Sequence, residues 1–329
     1  MNRNAAFIRA CASLAGLAVL VSLTGPPASA DPVPNHVRLG TLTPTGIVSI
    51  EEWLEAGLGG LGYIEGTNLT AERKRADSEE ALRSAALALV QSRVDVIVAF
   101  GTPAARAALS VTSKIPVVFI SGDPVGTGLA ASLARPGANG TGVSTLNIEL
   151  IPKRLELLRQ VLAHTRRVML LANPSSALYP QVLKHAQIGA SALHMQLIPL
   201  EARNVEELEV ALRRIQRSEA DGFTPSSEAL FLANQSKIAE AVARARMPAV
   251  FPWPQGHDPG VLMAYGPSAK EIGIRTAVYV DRILKGAKPG ELPIEQLSKY
   301  ELVISLRAAR DLGIKVPQEV LLRADQVIR

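Results

Sequence analysis

The chain has one cysteine and few aromatic residues, and both shortages limit what it can be. Cys11 lies in an apolar run near the N-terminus, and no other cysteine follows in the 329 residues. The rest of the chain therefore has no disulfide, no thiolate metal ligand and no cysteine nucleophile. Aromatic residues make up 4% of the chain, so its cores must be built from Ala, Leu, Val and Ile.

Catalytic and phosphate-binding motifs are missing as well. The sequence contains no G-x-S-x-G nucleophile elbow and no Walker loop, and its five histidines form neither an i, i+4 pair nor an H-E-x-x-H motif. His257 stands beside Asp258 in a Pro/Gly-rich loop, a pair that leaves an exported hydrolase open as an alternative. We expect a protein that is not an enzyme and that has no catalytic residue, metal site or cofactor.

The net charge of +5 does not indicate a nucleic-acid partner. The basic runs ERKRAD (72–77) and RRIQR (213–217) are interleaved with acidic residues at helical spacing. This pattern is typical of the solvated face of a helix. We expect no nucleic-acid binding from either run.

The N-terminus has the layout of a signal peptide. Arg3 and Arg9 precede the apolar run over residues 11–23, which is too short for a comfortable membrane span and gives way to small residues and then to Asp31. We expect cleavage after Ala30, export to the periplasm and a soluble mature chain. A lipoprotein is disfavoured because Cys11 lies inside the apolar run.

Short apolar runs alternate with amphipathic stretches along the mature chain. The runs read as buried strands, and helical periodicity fills the intervals, which predicts parallel sheets covered by helices. The predicted strands are VRLGTLT (37–43), DVIVAF (95–100), PVVFIS (116–121), RVMLLAN (167–173), PAVFPW (248–253) and VLMAYG (261–266). The predicted helices cover 49–63, 78–93, 151–164, 179–194, 204–218 and 228–246.

The order of these pieces occurs twice, at a displacement of about 130 residues. The strand that ends at Pro44 matches the one that ends at Pro174, and IPVVFI matches MPAVFP. The repeat predicts an α/β protein of two similar lobes, each a parallel sheet flanked by helices. A cleft between the lobes is the natural site for a ligand.

The stretch GLGGLG (57–62) fits the G-x-G-x-x-G fingerprint of dinucleotide-binding turns. That fingerprint has a mechanism only after a strand and before a helix, whereas here a helical stretch precedes it and a turn follows. We expect Gly57 and Gly59 in the last turns of a helix, with Gly60 and Gly62 ending it.

The turn after the strand DVIVAF suits an anion. Gly101 makes the turn, Thr102 can cap the following helix and Pro103 takes a favoured first position, so a helix N-terminus faces the expected cleft. A ligand carboxylate would fit there. The alternative is an ordinary cap with no ligand.

Other polar and aromatic residues also follow strands. Ser121 and Asp123 end the strand VVFI, where Asp123 would accept an ammonium group or would only organise its own loop. Asn173 takes the position in the second lobe that Thr43 has in the first. The rings of two aromatic residues would form an apolar wall for a planar ligand, namely Trp253 and Tyr265.

Several blocks resemble the ABC transporter substrate-binding proteins of the type that includes periplasmic tryptophan-binding proteins. The resemblance covers essentially the whole mature chain. It rests on GYIEGTNL (62–69), FGTPAARAA (100–108), DPVGTGLAASLARPGANGTG (123–142), LMAYG (262–266), YVDRILKGAKPGELPIEQLSKYELVISLRAARDLGI (279–314) and VPQEVLLRADQVI (316–328).

The resemblance implies a type I periplasmic-binding fold, in which the chain crosses between the lobes three times. The crossings are expected near residues 145, 266 and 293. The expected organisation is therefore a signal peptide over 1–30, an N-terminal lobe over 31–145 plus 266–292, and a C-terminal lobe over 146–265 plus 293–329.

The resemblance also carries the family's cleft positions to Gly101, Thr102, Pro103, Ser121, Asp123, Asn173 and Tyr265. One segment departs from the family, because DGFTPSSEALF (221–231) has Glu228 where the family has an Asp. Pro225 lies inside that strand and removes a donor, so we expect the strand at a sheet edge or distorted.

These observations predict the periplasmic solute-binding component of an ABC importer. Its lobes would close on a small ligand, with an aromatic or branched amino acid as the first candidate. Thr102 would hold the carboxylate, and Asp123 with Glu228 would hold the ammonium. The expected partners are the small molecule and a permease in the inner membrane, and the chain is expected to be a monomer. A ligand-sensing receptor that signals to a membrane sensor is the alternative.

Overall fold

The structure is a computed structural model, which describes residues 36–44, 49–76, 78–216, 219–255 and 260–329. The expected signal peptide with its cleavage site after Ala30 lies outside these ranges, and so do His257 and Asp258. Within the described ranges, no helix combines the length and the apolar character needed to cross a membrane.

Six parallel strands form the first sheet, with helices between them. Elements are numbered in chain order, and the sheet has the order β11-β5-β4-β3-β1-β2. Its elements are β1 (Val37–Thr43), α1 (Ser49–Gly60), β2 (Leu69–Arg75), α2 (Glu79–Gln91), β3 (Val96–Phe100), α3 (Thr102–Val111), β4 (Val117–Ser121), β5 (Gly140–Ser144), α9 (Ala269–Leu284) and β11 (Glu295–Gln296). We call this sheet with its helices the first lobe.

The remaining elements form the second lobe. They are α4 (Ile151–Val161), β6 (Arg167–Ala172), α5 (Tyr179–Ala192), β7 (Gln196–Glu201), α6 (Val205–Arg213), β8 (Gly222–Pro225), α7 (Ala229–Ala233), α8 (Gln235–Arg244), β9 (Val250–Phe251), β10 (Met263–Pro267), β12 (Tyr300–Ser305), α10 (Leu306–Leu312), α11 (Gln318–Leu321) and β13 (Gln326–Ile328).

Two groups of strands make up the sheet of the second lobe. One has the order β7-β6-β8 and the other β13-β12-β10-β9, and only the pair β10–β12 is antiparallel. Phe223 and Thr224 join the groups, because the Phe223 amide donates to the carbonyl of Pro248 at 2.9 Å and the Thr224 hydroxyl donates to that of Val250 at 2.8 Å. The prediction of an α/β fold with helix-flanked parallel sheets is confirmed.

The chain passes between the sheets three times. The first passage covers residues 145–150 after β5, the second is residue 268 after β10, and the third covers 297–299 after β11. Strand β11 pairs with β5, so the first sheet extends to residue 296 and the third passage follows the expected position at 293.

One sequence-based prediction about a single element was wrong. ERKRAD does not form a helix face, since Glu72 to Arg75 lie in β2, an edge strand whose arginines pair with acids of α1 and of the loop before β2. The expectation that Pro225 lies in a strand at a sheet edge is confirmed, because β8 ends the order β7-β6-β8 and has an isolated bridge from Phe223 to Ala249 on its other side. Pro225 is the last residue of β8, and the next amide, that of Ser226, donates to Leu171 at 2.8 Å.

The glycines of GLGGLG occupy the positions expected of them, and one makes a close helix contact. Helix α1 ends at Gly60, and Gly62 follows with a φ of 92°. A Cβ on Gly57 would lie 2.8 Å from the Cβ of Ala277 in α9, and one on Gly273 would lie 2.5 Å from the Cβ of Trp53. Helices α1 and α9 therefore pack closely only because these two positions lack a side chain.

We expect Gly273→Ala to lower the free energy of unfolding by about 1–3 kcal/mol, because the added methyl group must push α9 away from Trp53. Gly59→Ala is the matched control, since nothing lies within 4 Å of its Cβ position. The control should gain about 0.5–1 kcal/mol from helix propensity. Urea denaturation of both variants measures the difference, and equal stabilities would contradict the close packing.

Candidate functional site

The N-terminus of α3 lies at the carboxyl edge of the first sheet. Gly101 has a φ of 91°, a conformation that favours glycine, and its amide donates to the carbonyl of Ile120 at 2.9 Å. Thr102 and the buried Ser121 share a hydrogen bond of 2.9 Å between their hydroxyl oxygens. Pro103 occupies the first turn, which contains no acidic residue. This helix end presents amide donors and two hydroxyls, an arrangement that suits an anion.

Thr43 is engaged by its own lobe. Its hydroxyl is buried and donates to the Oε1 atom of Glu51 at 2.6 Å, and the other oxygen of Glu51 accepts from Arg75. This buried carboxylate ties the ends of β1 and β2 to the first turn of α1. Sequence reasoning missed Glu51 and Arg75, since the strand β2 itself was predicted as a helix face.

Asp123 joins the two lobes. Its Oδ1 atom accepts from the amide of Gly126 at 2.8 Å, and its Oδ2 atom accepts from the side-chain amide of Gln181 in α5 at 3.2 Å. The loop-organising role and a contact across the cleft therefore coexist. The Oε1 atom of Gln181 is buried and lacks a partner within the described part of the chain. No sequence pattern singled out Gln181, because its partner lies 58 residues away.

Two loops of the second lobe meet at the carboxyl edge of its sheet. Asn173 caps its own turn, as its Oδ1 atom accepts from the amide of Ser175 at 2.9 Å. Three residues further, the side chain of Ser176 lies close to Glu228, which precedes α7. The strands β6 and β8 are neighbours, so the loops that follow them come together at this edge.

Glu228 is half-buried and has no Lys or Arg partner within 4.0 Å among the residues that the structure describes. Burial raises its pKa to about 7, against the opposing effect of the Ser176 hydrogen bond. Two residues earlier, the hydroxyl of Ser226 is fully buried and unpartnered in the described structure. Sequence reasoning missed Ser226, although its position directly after a strand was a usable signal.

The two aromatic candidates do not form one wall. Trp253 is 4% exposed and packs edge-on against Phe251, with ring centroids 5.8 Å apart, in the core that also contains Ala264. Tyr265 packs with a different core cluster of this lobe, and its ring centroid lies 6.1 Å from that of Tyr300. Successive residues of a strand point to opposite faces of the sheet, so Tyr265 faces away from the Trp253 cluster.

Metal binding finds no support in this region. The described ranges contain no group of three or more His, Cys, Asp or Glu side chains arranged to hold a metal ion. The chemistry that the strand ends offer is hydrogen bonding and charge: an anion-binding helix end in the first lobe, and carboxylate, hydroxyl and amide oxygens in the second.

We expect Glu228→Gln to stabilise the ligand-free protein at pH 8 and to have little effect at pH 5. The folded-state pKa lies above the ordinary value of 4.5, so the neutral carboxyl contributes stability that is complete below about pH 4.5 and is lost as the pH rises through about 7. Gln stays neutral and keeps this stability. Thermal unfolding should show a midpoint raised by about 2 °C or more at pH 8 only.

The matched control is Glu240→Gln on the exposed face of α8. It should leave the midpoint unchanged at both pH values. If Glu228→Gln is less stable than the wild type at pH 8, the folded protein favours the ionised form of Glu228, which contradicts a raised pKa.

Comparison with known proteins places the chain among solute-binding proteins. The profile of a family described as ABC transporter substrate binding protein matches residues 44–328. A tyrosine-binding protein of Clostridioides difficile (strain R20291) is 22% identical over 253 residues, which cover 74% of this chain and 70% of that protein.

Two solved structures share the fold closely. The crystal structure of an ABC domain from Streptococcus pneumonia in complex with L-Trp has a TM-score of 0.83 at 22% identity, and the match covers 89% of this chain and all of that one, 100%. The crystal structure of a conserved domain protein from Vibrio cholerae O1 biovar El Tor has a TM-score of 0.82 at 27% identity, covering 88% and 99% of the two chains.

Proposed function

The chain belongs to the ABC transporter substrate-binding protein family, and we propose that it is the exported solute-binding component of an ABC importer. Its fold is the type I periplasmic-binding fold. The proposed motion is closure of the two lobes on a ligand. The closed, ligand-bound protein would then dock on a permease in the inner membrane. Release into the periplasm after cleavage at Ala30, and a monomeric state, are part of the proposal.

The division of the chain into lobes follows its sheets. We assign residues 31–145 and 268–296 to the N-terminal lobe, and residues 146–267 and 297–329 to the C-terminal lobe. The packing of α9 on α1 and the pairing of β11 with β5 support this assignment. In this assignment the N-terminal lobe ends at Gln296, whereas the sequence analysis expected it to end at residue 292.

The proposed ligand is an amino acid with an aromatic side chain. The observation that carries this proposal is the pair of unlike strand ends: the α3 N-terminus without acidic residues in the first turn, and Glu228 of the second lobe, which has no cationic partner among the described residues. The α3 end with Thr102 and Ser121 would hold the carboxylate. Glu228 with Ser226 would hold the ammonium, whose three donors match these acceptors.

Asp123 takes a different role in this proposal from the one expected. Both of its carboxylate oxygens already accept hydrogen bonds, one of them from the opposite lobe. We propose that Asp123 stabilises the closed arrangement and that Glu228 supplies the main contact to the ammonium. The tyrosine-binding and L-Trp-bound relatives support an aromatic side chain on the ligand.

A ligand-sensing receptor is the alternative function, because the same fold and cleft would serve it. Permease and ATPase genes beside the gene would favour the importer. An exported hydrolase is the other alternative, and it would require turnover that His257→Ala abolishes. The family and the tyrosine-binding relative are both described by the binding of a substrate, which favours a binding protein.

A thermal-shift screen of residues 31–329 against amino acids, small carboxylates, sugars and purines tests the proposal. An aromatic amino acid at 100 times its dissociation constant should add about 2.7 kcal/mol of stability, a shift of several degrees. Thr102→Ala and Glu228→Gln should each reduce that shift. Ser110→Ala, at the far end of α3, is the control that should keep it.

The direction of the pH effect gives a second test of the ammonium site. An ammonium ligand binds the ionised carboxyl, so its affinity should fall about tenfold for each pH unit below the pKa of Glu228 near 7. Titration calorimetry from pH 5.5 to 8 measures this slope. A pH-independent affinity, or a stabilising ligand without an amine, would contradict the role of Glu228.

A further inference from the structure

The side chain of Arg154 connects the first passage between the lobes to β10, the strand that leads into the second passage. Arg154 lies in the first turns of α4, and its side chain is 0% exposed. Its Nε atom donates to the carbonyl oxygen of Tyr265 at 2.8 Å, on the strand that leads into the second passage. Its Nη2 atom donates to the carbonyl of Asn147 at 3.2 Å and also to the Oδ1 atom of that residue, in the first passage.

The third passage joins the same set of contacts. The ring of Tyr265 lies 6.1 Å from that of Tyr300, the first residue of β12, and the Tyr300 hydroxyl donates to the carbonyl of Leu297 at 2.9 Å. The Leu297 amide donates to the carbonyl of Ser144 at 3.0 Å, where the first passage begins. Together with the backbone from Ser144 to Asn147, these contacts link the first and third passages to Tyr265, which lies three residues before the second passage. Arg154 is the member of this set that lies in a helix.

The energetics of Arg154 are unfavourable for a purely structural residue. Its hydrogen-bond partners among the described residues are neutral oxygens, and its Nη1 atom is buried without a hydrogen-bond partner there. Burial lowers its pKa to about 9, so the guanidinium is still charged at neutral pH. An apolar side chain of similar volume would avoid the cost of desolvating this charge.

The backbone next to this contact is also strained. Leu146 has a φ of 51°, in the left-handed region that non-glycine residues rarely adopt. The two oxygens that accept from Arg154 in the first passage, the backbone carbonyl oxygen and Oδ1, both belong to the next residue, Asn147. The hydrogen bonds from Arg154 therefore stabilise a backbone conformation of the first passage that is unfavourable by itself.

We propose that Arg154 is a positioning residue of the hinge, which holds the first and second passages at one spacing and so sets the angle between the lobes. The inference rests on the proposed function only in taking lobe closure as the working motion. A lone ammonium cannot replace it, because the planar guanidinium reaches the first passage and β10 at once.

Distance measurement between spin labels on the two lobes tests this role. The mature chain has no cysteine, so Ser84→Cys in α2 and Ala192→Cys in α5, both exposed, provide two unique labels. In ligand-free protein, Arg154→Met should broaden the distance distribution and shift its mean relative to the labelled parent. Arg154→Lys should give the same change, since it keeps the charge but not the bridge.

Arg159→Met is the matched control, because Arg159 lies one turn further along α4 and bonds within its own lobe, to the carbonyl of Thr165. It should leave the distribution unchanged. Asn147→Ala removes the same bridge from the other side. Its effect should not add to that of Arg154→Met, as expected for residues that act as one unit.

An unchanged distribution in Arg154→Met or Arg154→Lys overturns the proposal. If Arg154→Met does not fold, Arg154→Lys and Asn147→Ala carry the test. A ligand that closes the wild type should bind Arg154→Lys about five- to tenfold more weakly, while its contacts in the closed state stay the same. The ligand-free distances are read without any ligand, so a wrong ligand class fails the thermal-shift screen and leaves this test standing.

Discussion

The contact between α1 and α9 is the one on which the two-lobe arrangement depends. Helix α9 follows β10, a strand of the second lobe, yet it packs on α1 of the first lobe. The contact runs through Gly57 and Gly273, where a larger residue would collide with the facing helix. This contact returns the chain to the first lobe, where β11 pairs with β5. Without that return the lobes would share a single passage, and a single passage would leave their relative orientation unconstrained.

The polar groups at the strand ends differ in how far the fold itself satisfies them. In the first lobe, Thr43 and Asp123 have their oxygens engaged within the protein. In the second, the hydroxyl of Ser226 and an oxygen of Gln181 lack hydrogen-bond partners among the described residues, and Glu228 has no cationic partner there. Buried polar groups are normally hydrogen-bonded, so the unsatisfied ones mark the place where a ligand would compensate most.

Periodicity in the sequence predicted the elements with a strong pattern and missed those whose pattern depends on tertiary contacts. The helices over α1, α2, α4, α5 and α6 and the apolar strands of both sheets were predicted to within a few residues. Strand β2 was missed because its exposed arginines alternate with partly buried charged residues at a sheet edge, a pattern that resembles a charged helix. Strand β5 has a glycine-rich sequence and β12 has a mixed one. Both were missed because such sequences form strands only when they pair with a neighbouring strand, here β4 and β10.

The candidate site was predictable at the level of strand ends and not at the level of partners. That Gly101, Thr102 and Ser121 share one edge follows from the parallel sheet, and the structure brings them together. That Trp253 and Tyr265 belong to different core clusters follows from strand register, which no single sequence position reveals. Gln181 and Arg154 were invisible for the same reason, since each acts on residues of another segment.

Two contacts near the boundary between the lobes would act on different parts of the proposed closing motion. The hydrogen bond from Gln181 to Asp123 joins the lobes where they meet, so it would stabilise the closed state and would break on opening. The hydrogen bonds of Arg154 lie at the first passage and at Tyr265 in β10, and we propose that they stay formed during closure. A ligand then has to supply only the difference in free energy between two orientations that the hinge already limits. A narrow range of orientations reduces the entropy that closure costs, and the same ligand contacts therefore give a higher affinity.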